Sequence, residues 1–295
     1  MDKVVSRKAY AKINLSLDVL RRRDDGYHEV KMIMQQVDIW DELTFKIDEN
    51  ASEQITLKVL NAPANADLGP VEKNLIYRAA KLILDEYGRS EKISISLSKN
   101  IPVAAGMAGG STDAAAVFHG LNELLDLGMS DTKMCQMGVK LGADIPYCIM
   151  GGTMLSEGIG EVLSPLPTPP SCVLLIAKPD IAVSTKFVYE NLHANELKVH
   201  PDVDAMIDAI KLKDLNKMSS LLGNVLENVS CMAYPIIEDI KKVMIDGGAM
   251  NSLMSGSGPT VFGIFDSTDL VLAEACAEKI KADGLAHEVF VTYML

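Results

Sequence analysis

Hydrophobic and polar residues alternate along the first part of the chain. From residue 11 to residue 19, apolar side chains occupy the odd positions and polar side chains the even ones. This is the period of a half-buried strand, and it places Lys12 and Asn14 on the same face. The alternation recurs at residues 30–34, 43–47 and 55–59. The chain is therefore predicted to open with an antiparallel sheet.

Helical periodicity follows, with recognisable start and stop signals. Residues 74–87 are predicted to form a helix that Asn74 caps and Gly88 ends. A strand over residues 93–97 leads into a loop of small residues, and a helix with a buried stripe follows that loop.

A further helix is predicted from Ser130 to about Leu141. Gly142 ends this helix and Pro146 prevents its continuation, because proline lacks the N–H that a helix interior requires. Asp144 is therefore expected just past a helix end.

A proline-rich stretch, P-L-P-T-P-P at residues 165–170, separates two regions of different composition. We place a boundary there between an N-terminal lobe, residues 1–164, and a C-terminal lobe, residues 171–295. The second region is predicted to contain, in order, a strand at 172–177, helices near 203–223 and at 235–246, two strands within 250–265, a helix at 268–282 and a strand at 287–293. Strands and helices are mixed without regular β-α-β repeats, which indicates the α+β class.

Composition and charge exclude several classes of function. A formal net charge of −12 argues against nucleic acid as a partner, because phosphate backbones are bound by clustered Lys and Arg. No apolar run approaches the roughly 18 to 20 residues of a membrane span, and the first residues lack an apolar signal core, so we expect a cytoplasmic protein without a membrane partner. The five cysteines are odd in number and widely spaced, with no C-x-x-C pair, and we interpret them as reduced thiols.

The small-residue loop P-V-A-A-G-M-A-G-G-S-T at 102–112 is the first candidate for chemistry. It matches neither G-x-x-x-x-G-K-[ST] nor G-x-G-x-x-G. The helix after it offers N–H groups without intrahelical partners, the glycines let an anion approach the backbone, and Ser111 and Thr112 add hydroxyls. The loop is therefore predicted to bind phosphate, with close helix packing as the alternative explanation. Asp113 would then have to point away from the anion.

A second glycine turn and two side chains complete the candidates. S-G-S-G-P-T at 255–260 has the residues of a phosphate-closing turn and equally those of a hairpin connection. Lys12 is a candidate for charge stabilisation, although a lysine on the polar face of a strand is usually solvated. Asp144 is a candidate base, although an aspartate beside a helix end usually serves as a cap or turn residue.

Several stretches share the order of a known family. They are A-K-I-N-L-S-L at 11–17, D-G-Y-H at 25–28, P-V-A-A-G-M-A-G-G-S-T-D-A-A-A at 102–116, L-G-A-D-I-P-Y at 141–147, E-G-I-G-E at 157–161 and S-G-S-G-P-T-V-F at 255–262. Together they resemble the GHMP kinases over nearly the whole chain. A-K-I-N-L, D-G-Y-H and G-A-D-I-P are most similar to the branch that phosphorylates diphosphocytidyl methylerythritol. Met107 replaces the usual leucine and Thr112 the common serine, and both changes are conservative.

The resemblance implies a fold and an activity. The fold would be α+β and two-lobed, with an N-terminal ATP-binding lobe, a C-terminal α/β lobe and the active site in the cleft between them; whether the last strand returns to the N-terminal lobe stays open. The reaction would be ATP-dependent phosphorylation of the substrate's 2-hydroxyl in the non-mevalonate pathway to isoprenoid precursors. The partners would be ATP, Mg²⁺ and this small molecule, and the protein would be a monomer or a homodimer.

The resemblance also assigns roles to individual residues. Lys12 and Asp144 match the family's catalytic lysine and aspartate. The residues implied to bind ATP are Pro102, Val103, Ala104, Ala105, Gly106, Met107, Ala108, Gly109, Gly110, Ser111, Thr112 and, near the adenine, Asn74. The residues implied to bind the acceptor are Asn14, Tyr27, His28, Asp144, Thr185 and Tyr189. Tyr27 would stack on cytosine, His28 would bind the base, and Tyr189, with Phe187 as its rival, would cover the opposite face. The ligands of Mg²⁺ are not assigned.

Two other functions are compatible with parts of this pattern. A GHMP kinase that acts on homoserine or mevalonate would share the glycine loop, but D-G-Y-H argues against it. A non-catalytic nucleotide sensor would keep the loop and could dispense with Lys12 and Asp144, which are both present.

Overall fold

The structure is a computed structural model that describes residues 3–63 and 68–295. Its strands are β1 (Val4–Arg22), β2 (His28–Ile47), β3 (Ile55–Asn61), β4 (Ile93–Ser98), β5 (Thr153–Gly158), β6 (Val162–Pro165), β7 (Cys172–Lys178), β8 (Gly223–Asn224), β9 (Asn251–Met254), β10 (Val261–Asp266) and β11 (Glu288–Tyr293). Its α-helices are α1 (Leu75–Glu86), α2 (Gly109–Leu124), α3 (Asp131–Gly138), α4 (Ile145–Met150), α5 (Thr185–Asn191), α6 (Val203–Lys211), α7 (Leu215–Ser220), α8 (Glu227–Ala233), α9 (Ile236–Asp246) and α10 (Leu270–Ala282).

The described strands form one mixed and one antiparallel sheet, which agrees with the predicted α+β class. In the larger sheet the order is β3-β4-β2-β1-β8, with β5 beside β2 and β6 beside β5. In the smaller sheet the order is β11-β7-β10-β9, and all of its pairs are antiparallel.

The expectation of an antiparallel opening sheet was only partly correct. β2 pairs with β4 in the antiparallel sense, but β3 pairs with β4, and β1 with β8, in the parallel sense. The parallel pairing of β3 with β4 follows from the connection between these two strands. This connection contains α1, and a helical crossover of this kind lets the next strand run in the same direction as the previous one.

Capping residues mark several helix boundaries where the sequence predicted them. Asn74 accepts a hydrogen bond from the N–H of Ile76 at the start of α1, and Ser130 accepts one from the N–H of Lys133 at the start of α3. Pro235 precedes the first residue of α9 and Gly247 follows its last. These boundaries follow from local chemistry, since each cap satisfies groups that the helix itself leaves without partners.

Two helix predictions were wrong. The helix near 203–223 is divided into α6 and α7, because Lys213 adopts a left-handed φ of 57° and Asp214 caps a new helix by accepting from the N–H of Lys217. Pro146 does not stop a helix but lies in the first turn of α4, where proline is tolerated. Helices α4, α5 and α8 and strands β5, β6 and β8 were not predicted.

The chain divides into two compact units that alternate along the sequence. One consists of Met1–Ala11, Ile39–Val103 and Ala108–Gly151, and the other of Lys12–Asp38, Ala104–Met107 and Gly152–Leu295. The lobe boundary proposed at residues 165–170 stays a prediction.

In the first unit, α2 lies very close to β2. A Cβ at Gly120 would lie 2.3 Å from the ring of Phe45, which is fully buried. Glycine at this position therefore lets the helix backbone contact the aromatic ring directly. This contact fixes the depth of the helix that follows the glycine-rich loop.

In the second unit, the last strand, β11, pairs with β7, and the residues after it reach β2. Met294 forms an isolated bridge with Val37, and the N–H of Leu295 donates to the carbonyl of Gln36 at 3.0 Å.

All five cysteines are free thiols, three of them buried. No helix in the described part of the chain is both long and apolar enough to cross a bilayer.

Candidate active site

The backbone of the glycine-rich loop alternates in handedness. Ala104, Gly106 and Ala108 have positive φ values of 52°, 73° and 57°, whereas Ala105 and Met107 between them do not. Alternation of right- and left-handed residues turns successive N–H groups toward one concave side, and such backbone nests bind anions. Positive φ is uncommon for alanine and concentrates at functional sites. The loop therefore shares its alternating signs of φ with anion-binding nests.

The loop ends at the N-terminus of α2, whose first N–H groups have no intrahelical acceptors. Thr112 helps to hold this end in place: its hydroxyl donates to the carbonyl of Tyr10 at 2.7 Å, and its N–H donates to the carbonyl of Ala108 at 2.9 Å. Both of its donors are thus used within the protein, and its predicted contact with phosphate stays a prediction. At Gly110, a Cβ would come within 3.5 Å of Leu75 at the start of α1. Asn74, predicted near the adenine, is the residue before Leu75.

Asp113 points into the protein, as the phosphate hypothesis requires. Its Oδ2 accepts from the ammonium of Lys99 at 2.8 Å, and the same ammonium also donates to Oδ2 of Asp41. All three side chains are buried. Burial raises the pKa of Asp113, with Lys99 opposing the rise and Asp41 adding to it. Burial also works against the charge on Lys99, but the two carboxylates outweigh it and raise the pKa of the ammonium.

In the second unit, the S-G-S-G-P-T turn contacts the glycine-rich loop. The hydroxyl of Ser255 donates to the carbonyl of Gly106 at 3.1 Å. A Cβ at Gly106 would lie 2.3 Å from the carbonyl oxygen of Ser255. Only glycine allows this approach at a positive φ. The turn between β9 and β10 is thus a hairpin connection that also supports the loop.

Three polar side chains hold this turn in place. Asn224 donates from its amide to the carbonyls of Met254 and Gly256, both at 2.8 Å, and the hydroxyl of Ser230 donates to the carbonyl of Ser257 at 3.0 Å. Thr185, predicted to contact the acceptor, shares a 2.8 Å hydrogen bond with the hydroxyl of Ser257.

Lys12 and Asn14 share one face of β1, as the alternation predicted. Both side chains are buried, and the ammonium of Lys12 donates to Oδ1 of Asn14 at 2.7 Å. The backbone N–H of Lys12 donates to the carbonyl of Met107 at 3.2 Å. The strand that carries the predicted catalytic lysine is therefore bonded directly to the glycine-rich loop.

Asp144 does not follow a helix directly but is the N-cap residue of α4, and its side chain does not cap that helix. The sequence predicted Asp144 just past the end of a helix, at about Leu141, but that helix, α3, ends earlier, at Gly138. A Cβ at Gly138 would lie 2.7 Å from the side chain of Ile145, so glycine allows α3 to lie close to the start of α4.

The residues predicted to bind cytosine include one close aromatic pair. The rings of His28 and Tyr189 have centroids 5.0 Å apart and planes inclined by 43°. Tyr27 is 59% exposed, and Phe187 is 39% exposed. Burial, and secondly the charge of Arg22, lower the pKa of His28. The structure thus brings His28 to Tyr189, while the ring of Tyr27 is open to solvent.

Comparison with known proteins gives consistent results. Residues 74–152 match the family described as the GHMP kinases N terminal domain, and residues 206–284 match the GHMP kinases C terminal domain. A protein of Lachnoclostridium phytofermentans named 4-diphosphocytidyl-2-C-methyl-D-erythritol kinase is 50% identical over 289 residues, which are 98% of this chain and 97% of the relative. A protein of the same name from Lachnospira eligens is 49% identical over 97% of this chain and 96% of its own. The chain belongs to the 4-diphosphocytidyl-2-C-methyl-D-erythritol kinase family of the GHMP kinases.

Solved structures agree with the GHMP kinase fold. A crystal structure of 4-(cytidine 5'-diphospho)-2C-methyl-D-erythritol kinase matches with a TM-score of 0.80 and 29% identity, over 98% of this chain and 99% of the other. Homoserine kinase of Cytophaga hutchinsonii matches with a TM-score of 0.76 at 20% identity, over 99% of this chain and 94% of its own. At this identity the second likeness concerns the fold alone.

Sequence reasoning missed the residues whose hydrogen bonds hold the two glycine-rich segments of this GHMP kinase in place. Asn224 and Ser230 hold the second glycine turn, and Asp41 and Lys99 hold the start of α2. None of them belongs to a recognisable motif. Lys99 ends the predicted strand before the loop, so its position was the only available signal.

The described residues of this GHMP kinase contain no cluster of three or more His, Cys, Asp or Glu side chains that could hold a metal ion by themselves. This is compatible with Mg²⁺ that is held largely by nucleotide phosphates, as is usual at ATP sites.

Proposed function

We propose that the chain transfers the γ-phosphoryl group of ATP to the 2-hydroxyl of 4-diphosphocytidyl-2-C-methyl-D-erythritol, giving the 2-phosphate and ADP, in the biosynthesis of isoprenoid precursors by the non-mevalonate pathway. The observation that carries the donor side is the loop of alternating handedness that leads into the N-terminus of α2. The names of relatives that are about half identical over nearly the whole chain support the acceptor.

On the donor side, backbone N–H groups make most of the contacts with the phosphates of ATP. The N–H groups of residues 104–111 bind the phosphate oxygens of ATP, helped by the positive end of the α2 dipole. Mg²⁺ supplies charge neutralisation on the phosphates when bound. The loop has no lysine of its own, so its selectivity for phosphate comes from shape and amide direction.

On the acceptor side, Asp144 orients the 2-hydroxyl and accepts its proton, while the bond from the γ-phosphorus to the β,γ-bridging oxygen breaks and a bond to the 2-oxygen forms. The transition state of phosphoryl transfer is loose, so catalysis depends mainly on alignment and on compensation of charge. Lys12 stabilises negative charge on the acceptor oxygen. Because Lys12 is buried and bound to Asn14, its ammonium has a fixed direction.

At the cytidine end, aromatic groups recognise the base. Tyr27 stacks on one face of cytosine and Tyr189 covers the other. His28, whose pKa is lowered, is neutral at physiological pH and therefore offers one donor and one acceptor. The nitrogen without a proton can accept a hydrogen bond from the amino group of cytosine. Tyr189 is favoured over Phe187 because its ring contacts His28.

Product analysis tests this proposal. The protein is incubated with ATP, Mg²⁺ and the diphosphocytidyl substrate, and the product is examined by phosphorus NMR. We expect stoichiometric ADP and a new phosphomonoester signal without three-bond coupling to a proton, because C2 carries a methyl group and no hydrogen. Release of inorganic phosphate without such an ester would contradict the proposed transfer.

A further inference from the structure

Three buried side chains, Asp41, Lys99 and Asp113, form a cluster that we call the buried clamp. Lys99 follows the last residue of β4 and is 4% exposed. Its ammonium donates to Oδ2 of Asp41, on β2, and to Oδ2 of Asp113, the fifth residue of α2. One cation thus joins a strand of the sheet to the helix that follows the glycine-rich loop.

The buried clamp holds both ends of this loop. Oδ1 of Asp41 accepts from the N–H groups of Asn100 at 2.6 Å and Ile101 at 2.8 Å, directly before the loop begins. Asp113 lies directly after the loop ends at residue 112. The segment between these points has the alternating backbone that we propose for binding phosphate.

Lys99 also contacts the helix backbone closely. A Cβ at Gly109, the first residue of α2, would lie 3.0 Å from the ammonium nitrogen of Lys99 and 3.1 Å from Cγ2 of Ile101. The ammonium therefore lies against the backbone at the start of α2, whose N–H groups we propose to bind phosphate. A change in its position changes the position of those N–H groups.

Stability alone does not account for such a cluster. Burying two carboxylates and an ammonium is costly, and apolar residues of similar volume often stabilise a fold equally well or better. Oδ1 of Asp113 is buried without a hydrogen-bond partner among the described residues, which adds to the cost. What the charges add is a defined geometry, since charge-assisted hydrogen bonds are strong and directional.

We propose that Lys99 is a positioning residue for nucleotide binding, which fixes the first turn of α2 against the start of the loop through Asp41 and Asp113. The inference rests on the proposed function of the loop in binding ATP. It assigns a role to Asp41 and Lys99, which lie outside the stretches that match the family, and to Asp113, which lies within the stretch 102–116.

The main test replaces the ionic part of the buried clamp by apolar side chains. In the double variant Lys99→Met/Asp113→Leu, Asp41 keeps its two backbone donors, but its buried carboxylate loses the ammonium. We expect the variant to fold with a lowered melting temperature, because a buried carboxylate without its cation is destabilising. We expect its dissociation constant for Mg·ATP, measured by calorimetry, to rise about 10-fold or more, which corresponds to the loss of one charged hydrogen bond. KM for the acceptor stays unchanged.

Lys241 provides a matched control. It also joins two carboxylates, Glu227 at 2.9 Å and Glu238 at 3.1 Å, but does not contact the loop. Lys241→Met is expected to lower the melting temperature and to leave ATP affinity unchanged. A folded double variant with native ATP affinity would overturn the positioning role. Absence of ATP binding by the unaltered protein would instead overturn the proposed function of the loop.

A milder variant covers the case in which the double variant fails to fold. Asp113→Asn keeps the shape and an acceptor for Lys99 but removes the negative charge. Because a neutral hydrogen bond is about half as strong as a charged one, we expect ATP affinity to fall about threefold and hydrogen exchange at residues 109–112 to accelerate. Native affinity together with native exchange would contradict the proposal.

Discussion

The imidazole of His28 and the phenol ring of Tyr189 lie against each other, with centroids 5.0 Å apart and planes inclined by 43°. One comes from the D-G-Y-H stretch at the start of β2 and the other from α5, so more than 150 residues of sequence separate them. The contact links D-G-Y-H, a stretch that pointed to this branch of the family, to a stretch that matched the family only loosely. It is the structural reason to prefer Tyr189 to Phe187 as the second aromatic group.

Replacing Tyr189 by alanine is expected to weaken binding of the acceptor by roughly 1–3 kcal/mol, the range for a base stacked on an aromatic side chain. ATP affinity should stay native. Titration calorimetry with the diphosphocytidyl substrate measures the effect. Phe187→Ala, two residues earlier on the same short helix, is the matched control and should bind the acceptor normally. The reverse pattern, with loss only in the Phe187 variant, would exchange the two roles.

Acceptor binding should weaken as the pH falls below 6.5. Burial and the charge of Arg22 lower the pKa of His28 from its ordinary value of 6.5, so the ring is neutral above that pH and becomes protonated only below it. Protonation converts its acceptor nitrogen into a donor, which then faces the amino group of cytosine. KM for the acceptor, measured between pH 5 and pH 8, should therefore rise at the acidic end. His28→Gln keeps one donor and one acceptor without titrating, and its KM should lack the rise; an identical rise in that variant would assign the effect to another group.

Gly106→Ala should abolish ATP binding. The added Cβ would lie 2.3 Å from the carbonyl of Ser255, so the loop or the glycine turn must move. Gly88→Ala is the matched control, because Gly88 also has a positive φ but has open space around it. That control should lose only the roughly 1–2 kcal/mol of stability that a left-handed alanine costs. Calorimetric titration with Mg·ATP distinguishes the two, and native ATP affinity in Gly106→Ala would exclude the loop as the phosphate site.

Asp144→Asn should lower kcat by at least about 10², the lower end of the range for a positioned general base. ATP binding should persist, because the amide keeps the size of the side chain and the phosphates are bound by the loop. Asp131→Asn, at an exposed position in the first turn of α3, is the control and should leave kcat unchanged. Steady-state kinetics with saturating ATP measure the effect. A native kcat in Asp144→Asn would show that Asp144 is not the general base.

Elements with strong local signals were predictable from the sequence. The alternation around Lys12 gave β1 and the shared face with Asn14, and Pro235 and Gly247 marked the ends of α9. Pro146 was misread because a proline that breaks a helix interior is also acceptable in a first turn. Local chemistry alone does not distinguish these two positions.

Long-range relationships were not predictable. Nothing near Lys99 indicates that it pairs with Asp41, 58 residues earlier, and the break between α6 and α7 depends on one left-handed residue, Lys213. The parallel pairing of β3 with β4 depends on the crossover through α1. These features arise from tertiary packing, which the period of a single segment does not record.

The central claim is the identity of the acceptor, and competition among acceptors tests it most directly. Initial rates of ADP formation are measured with ATP, Mg²⁺ and, in turn, the diphosphocytidyl substrate, homoserine and mevalonate. The account predicts rapid turnover of the diphosphocytidyl substrate and background rates with the other two. Turnover of homoserine or mevalonate, with none of the diphosphocytidyl substrate, would contradict it, and ATP binding without turnover of any acceptor would indicate a nucleotide sensor.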